Sequence, residues 1–167
     1  AEPKNILINN LDNFILYSGA LDPRKNVKRL LKAFSQLPPE LAKYKLVLVG
    51  KLLDVEEELL ESWIDSYNLD SANIIRMGYV SDLDLVILYR KCSLFVFPSL
   101  HEGFGLPVLE AMCCEAPVIG SNCTSIPEVI SLEKAMFDPE NTKDIKNLII
   151  KAITNKKFNN ELKLNSL

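Results

Sequence analysis

Six short apolar runs separated by segments of helical periodicity restrict this chain more than any other feature: FILYSG (14–19), KLVLVG (45–50), NIIRM (73–77), SLFVFP (93–98), PVIGS (117–121) and AMF (135–137). They are apolar almost throughout instead of alternating, as strands covered on both faces are. Between them apolar residues recur at helical spacing: Val27, Leu30, Leu31 and Phe34; then Val55, Leu59, Leu60, Trp63, Ile64 and Tyr67; then Leu85, Val86, Leu88 and Tyr89. LPPE at 37–40 stops the first of these helices, and Asp82 or Asp84 is expected to cap the third. Leu106–Cys114 and the segment TKDIKNLIIKAIT, capped at Thr142, supply two more helices, and the tail carries a weaker stripe at Phe158, Leu162 and Leu164. Strand and helix in alternation predict an α/β fold: a doubly wound, Rossmann-like parallel sheet with its core between about residues 14 and 154.

A chain of 167 residues suits one domain that buries roughly 70% of its unfolded surface without disulfides or metals. The net charge of −3, with no block of basic residues, gives no attraction to phosphodiester backbones, so nucleic acid is not an expected partner. Cys92, Cys113, Cys114 and Cys123 lack CxxC spacing and the single histidine, His101, stands alone, so neither a metal site nor a disulfide framework is expected. The cysteines read as small buried hydrophobes of a reducing, cytoplasmic compartment. No apolar run approaches the roughly 20 residues of a membrane span, and no charged-then-apolar leader is visible. The polar lead AEPKNILINNLDN, beginning at Ala1, suggests a piece of a longer protein.

In a doubly wound sheet, ligands bind beyond the carboxyl ends of the strands where strand order reverses, between strands one and four of the order 3-2-1-4-5-6. That topology brings together two loops distant in sequence: ALDPRKN, with Arg24 and Lys25, and SLHEGFG. Gly103 and Gly105 would let the backbone approach a ligand through angles closed to other residues, and Pro107 suits a first helical turn. The helix mouth that results is an anion site, to which Lys25 adds a charge-assisted bond. Glu102 and Glu110 would flank it at roughly 10–15 Å, one carboxylate for a ribose diol and the other for a second polyol. Taken alone, EGFG is equally a tight turn and Glu110 a helix-start acid, as Glu128 is in IPEV. His101 reads as a solvated loop residue and Trp63 as core.

With its two glutamates separated by seven residues, PSLHEGFGLPVLEAM resembles the EX7E motif of the group 1 retaining glycosyltransferases of the GT-B fold. In the same order, YSGALDPRKNVKRLLKAF resembles that family's phosphate loop, LVLVGK its second strand, APVIGSNCTSIPEVI the segment after the motif and AMFDPENTKDIKNLI its closing unit. The resemblance implies the C-terminal, donor-binding half of such an enzyme as one domain over residues 1–167, the N-terminal acceptor domain lying outside this chain. It implies that Glu110 holds the ribose hydroxyls and that Glu102 contacts the donor sugar at the reacting carbon. The backbone of Gly103, Phe104, Gly105 and Leu106 binds sugar and phosphate, Lys25 the diphosphate, and Tyr79 and Val80 lie near the base. Many members carry Arg after the first strand's glycine; Ala20 stands there in this chain, and Arg24 is expected to supply that charge. Leu52 replaces a common glycine beside the base, and SIPEV leans toward mannosyl members, with UDP-sugars open.

The activity implied is retaining hexosyl transfer from a nucleotide diphosphate sugar, without cofactor or required metal, as in polysaccharide or glycolipid synthesis. Peripheral membrane association of a full-length enzyme stays open. The rival readings are a GT-B-like epimerase or phosphorylase and a noncatalytic nucleotide-binding module.

Overall fold

A computed structural model describes residues 7–165 of the chain. All six expected strands form: β1 (Phe14–Ser18), β2 (Lys45–Val49), β3 (Ile74–Gly78), β4 (Leu94–Phe97), β5 (Val118–Ser121) and β6 (Met136–Phe137). They make one sheet of order β3-β2-β1-β4-β5-β6, parallel at every pairing. The buried runs of β1 and β4 meet at the reversal, with Ile15 beside Leu94 and Leu16 beside Phe95.

Helices α1 (Val27–Ser35) and α2 (Asp54–Ser66) fill the β1–β2 and β2–β3 crossovers, and α3 (Asp82–Lys91) the β3–β4 crossover. Beyond β4 come α4 (Leu106–Cys113), α5 (Ile126–Ile130), α6 (Thr142–Thr154) and α7 (Lys156–Leu164). Strand order grows leftward from β1 to β3 and rightward from β4 to β6, so right-handed crossovers put α1 and α2 on one face and α4 and α5 on the other. Helix α6 packs against α1, and α4 packs against α3 and α5. No helix among the described residues is long and apolar enough to cross a membrane.

Several local expectations are corrected. Ser81, not Asp82 or Asp84, caps α3, its side chain accepting from the Asp84 N–H. Asn141, not Thr142, caps α6 in the same way. Val55 and Leu59, assigned to the apolar stripe of α2, are exposed, and Leu60 and Ile64 carry its buried face. Cys113 is exposed and Cys114 and Cys123 are half-buried, so only Cys92 is the buried hydrophobe expected of all four. The core is also wider than residues 14–154: Ile8 and Leu11 at one end and Phe158 and Leu162 at the other are buried, while Leu164 is exposed. The first six residues of the polar lead lie outside the described residues.

Burial pushes the Cys92 thiol up to about 12, against a smaller downward pull from Lys163. The folded state therefore keeps a proton that the unfolded chain releases near pH 9, and stability that is intact below that pH is lost as pH climbs toward 12. The slope for one such group is about 1.4 kcal/mol per pH unit. Tyr17 and Tyr89, raised chiefly by burial, join the decline at higher pH. Urea unfolding of Cys92→Ala across pH 8 to 11 is expected to show a shallower decline than in the parent, the remainder coming from Cys114 and Cys123, whose thiols burial also raises. An unchanged slope would assign the alkaline loss to other groups.

Candidate functional site

The crevice at the strand-order reversal is built by three loops tied to one another. After β1 a short 3-10 turn, Pro23–Lys25, is closed by Asp22, whose carboxylate accepts from the Arg24 N–H at 3.0 Å. Asn26 follows in the left-handed conformation, φ 61, which asparagine tolerates better than most residues. Its side chain does not cap α1. Instead Nδ2 donates to the carbonyls of Pro98 (2.9 Å) and Pro139 (2.8 Å), joining the loops after β4 and β6 to the loop after β1. The Leu100 N–H donates to the Arg24 carbonyl at 2.7 Å, a second tie between the first two loops.

These ties place Lys25 against Glu102. The Lys25 ammonium donates to both carboxylate oxygens, at 2.6 and 2.8 Å, and the two side chains are only 20% and 12% exposed. An ammonium has three donors, so one remains for a ligand oxygen. The backbone of Glu102 is clamped by the loop after β5, its N–H donating to Thr124 Oγ1 (3.2 Å) and its carbonyl accepting from Ser125 Oγ (3.1 Å).

From Glu102 the chain turns into α4 through Gly105, which has φ 87 and ψ 42 and no side chain to cap the helix. The positive φ calls for glycine; a Cβ there would also lie 2.8 Å from Ile126 Cδ1, a side-chain end that could move aside. Gly103 corrects the expectation: its φ is not in the left-handed region and an added Cβ would meet nothing within 4 Å. Among the described residues, the N–H groups of Gly103, Phe104, Gly105 and Leu106 make no hydrogen bond, and Pro107 has none to make. They form a row of free donors at the positive end of α4.

Glu110 lies one turn into α4, exposed, and its Oε2 accepts from the hydroxyl of buried Tyr89 at 3.3 Å. Burial first and the Glu110 charge second raise the Tyr89 phenol, while Ser18 at the end of β1 opposes them. Tyr89 therefore stays protonated, donates to Glu110 and fixes its direction.

The family model described as "Glycosyl transferases group 1" matches residues 1–166. The chain belongs to that family. A serotype-specific mannosyltransferase, WbdA of Escherichia coli, is 48% identical over 157 residues, covering 93% of this chain and 19% of the relative. O-antigen chain mannosyltransferase B of E. coli is 40% identical over 141 residues, covering 84% of this chain and 36% of the relative. The chain thus spans about a fifth to about a third of these curated relatives. Among solved structures, sucrose-phosphate synthase of Thermosynechococcus elongatus superimposes with a TM-score of 0.84 at 24% identity, over 99% of this chain and 43% of that one. Anabaena HepE in complex with UDP-glucose gives 0.83 at 22% identity, over 99% and 45%. At these identities the structures establish the fold: a Rossmann-like domain of the GT-B type.

Within this group 1 glycosyl transferase domain, the structure brings Lys25 onto Glu102, and the unbonded amides of 103–106 follow Glu102 directly in the chain. The Arg24 Nε pairs with Asp22 at 3.2 Å, and its side chain is 70% exposed. Tyr79 and Val80 follow β3, the edge strand two places from β1, Tyr79 exposed and Val80 buried. His101 is exposed, and Trp63 is half-buried, one part packed against the core as expected and the rest open. Four supporting residues were not legible as such: Asn26, Tyr89, Thr124 and Ser125. Of these only Asn26 leaves a trace in the sequence, an asparagine directly before a helical stripe.

Proposed function

We propose that this domain binds the donor of a retaining glycosyltransferase, one that moves a hexosyl group, mannosyl by preference, from a nucleotide diphosphate sugar to an acceptor hydroxyl. The observation that carries the reading is the Lys25–Glu102 pair at the mouth of four free backbone amides. A departing diphosphate gains negative charge as the C1–O bond breaks, and fixed donors aimed at it lower the barrier most when they need no reorganisation. Lys25 and the amide row supply them, so the diphosphate charge is met by protein groups and no metal is needed for it. Glu102 faces the sugar, where its carboxylate opposes positive charge at the ring. Glu110, directed by Tyr89, receives the ribose hydroxyls.

The mannosyl preference is supported by the names of the relatives at 48% and 40% identity, both mannosyltransferases. The acceptor is held by a part of the enzyme outside this chain, with the reaction on the cytoplasmic side, where nucleotide sugars are available.

Titration calorimetry of the domain with GDP, UDP, ADP and their sugar conjugates tests the reading. Glu110→Ala is expected to weaken every nucleotide by about 10- to 100-fold, the worth of one or two charge-assisted bonds. Unchanged affinity in that variant would remove Glu110 from the site, and a preference for GDP over UDP would support mannosyl transfer.

A further inference from the structure

On the far side of the β1 loop that borders the crevice, helices α1 and α2 flank an open groove of about 410 Å³, with Asp22, Pro23 and Asn26 of that loop at one end. One wall is Leu59 and Trp63 of α2 and Tyr67 at its C-cap, spaced four residues apart and therefore on one stripe. The other wall is Lys28, Arg29 and Lys32 of α1. Asp22, the acid that lines the groove, is ion-paired to Arg24. Arg29 crosses the upper end: its Nη1 donates to Asn26 Oδ1 at 2.9 Å, and its charge reaches Tyr67, pulling that phenol down against the upward effect of burial.

The cations are placed against local preference. Lys28 and Lys32 are like charges one turn apart, and Lys28 and Arg29 sit in the first turn of α1, at the positive end of its dipole. No acid anywhere on α1 offsets them, and no ion-pair partner for Lys28, Arg29 or Lys32 occurs among the described residues. A helix that concentrates uncompensated charge opposite a half-buried indole breaks rules that ordinary surface helices keep, and such breaks collect at functional sites.

We propose that this groove is a second ligand site for a phosphorylated sugar, adjoining the donor crevice through the shared β1 loop but using the side chains of α1 and α2. The apolar face of a pyranose stacks on Trp63 and Tyr67, and the phosphate takes the α1 cations. Aromatic rings bind the C–H face of a sugar, three unpaired cations bind an anion, and a hexose phosphate presents both within the size of the groove.

Trp63 is the chain's single tryptophan, so tryptophan fluorescence comes from this wall of the groove. Titration with a hexose 6-phosphate is expected to give a saturable change in that fluorescence, at concentrations where the free hexose and inorganic phosphate give none. The double variant Lys28→Ala/Lys32→Ala, which alters two exposed side chains, is expected to raise the midpoint by about 10- to 100-fold. Absence of a saturable change, an equal midpoint with inorganic phosphate, or an unmoved midpoint in the double variant would overturn the proposal. A midpoint that moved in Glu110→Ala instead would put the ligand in the donor crevice and overturn it as well, whereas loss of nucleotide binding alone would leave it standing.

Discussion

Gly50→Ala is expected to remove about 3–5 kcal/mol of stability, a large share of what a domain of this size has. An added Cβ would lie 2.3 Å from the Gly19 carbonyl oxygen, a backbone atom that no rotamer change moves, and φ +142 is strained for any L side chain. The position is also a joint. The Gly50 N–H donates to the Gly78 carbonyl and the Gly19 N–H to the Val49 carbonyl, each at 2.9 Å, so relief of the clash pulls apart the carboxyl ends of β1, β2 and β3 together. Urea unfolding measures the loss, and Gly103→Ala is the control, expected within about 0.5 kcal/mol of the parent because its Cβ meets nothing. If the two variants proved equally stable, the close approach of the β1 and β2 ends would be wrong.

The second large effect belongs to Lys25. Lys25→Ala is expected to lower affinity for a nucleoside diphosphate by about 10- to 100-fold, since a charge-assisted bond to phosphate is lost. It is also expected to lower stability by about 1–2 kcal/mol, less than a fully buried pair would lose because both side chains keep some contact with water. The stability loss arises from Glu102, left as a carboxylate with little solvent. Adding Glu102→Gln to Lys25→Ala should therefore restore most of the stability and none of the affinity, as read by urea unfolding and calorimetry on the parent, the single and the double variant. Recovery of affinity in the double variant would mean that Lys25 serves only to neutralise Glu102.

Legibility in the sequence followed the range of the forces involved. The strands could be read because double coverage demands unbroken apolar runs, a local property: FILYS, KLVLV and LFVF stand as written. Helix caps were missed by one to three residues. Ser81 and Asp82, or Asn141 and Thr142, all offer a side-chain oxygen, and the direction from which the chain enters the helix decides which one turns back. The stripe of α2 was overread because Leu59 and Trp63 keep the helical period of Leu60 and Ile64 while facing the groove beside α1. The Cys113 thiol faces outward on the same side of α4 as Leu106, Leu109 and Glu110, which are exposed too, while Val108 and Ala111 carry the buried face.

What the residues decided by themselves was the alternation of strand and helix, the parallel sheet it requires, and the glycine-rich turn with two glutamates at the carboxyl end of the fourth strand. Tertiary structure alone decided which groups meet there. Lys25 and Glu102 are 77 residues apart, Tyr89 and Glu110 are 21 apart, and Asn26 reaches carbonyls 72 and 113 positions away. Periodicity reports which face of an element is buried; it carries no record of partners brought together by the reversal of strand order, because hydrogen bonds between loops leave no repeating pattern in either segment.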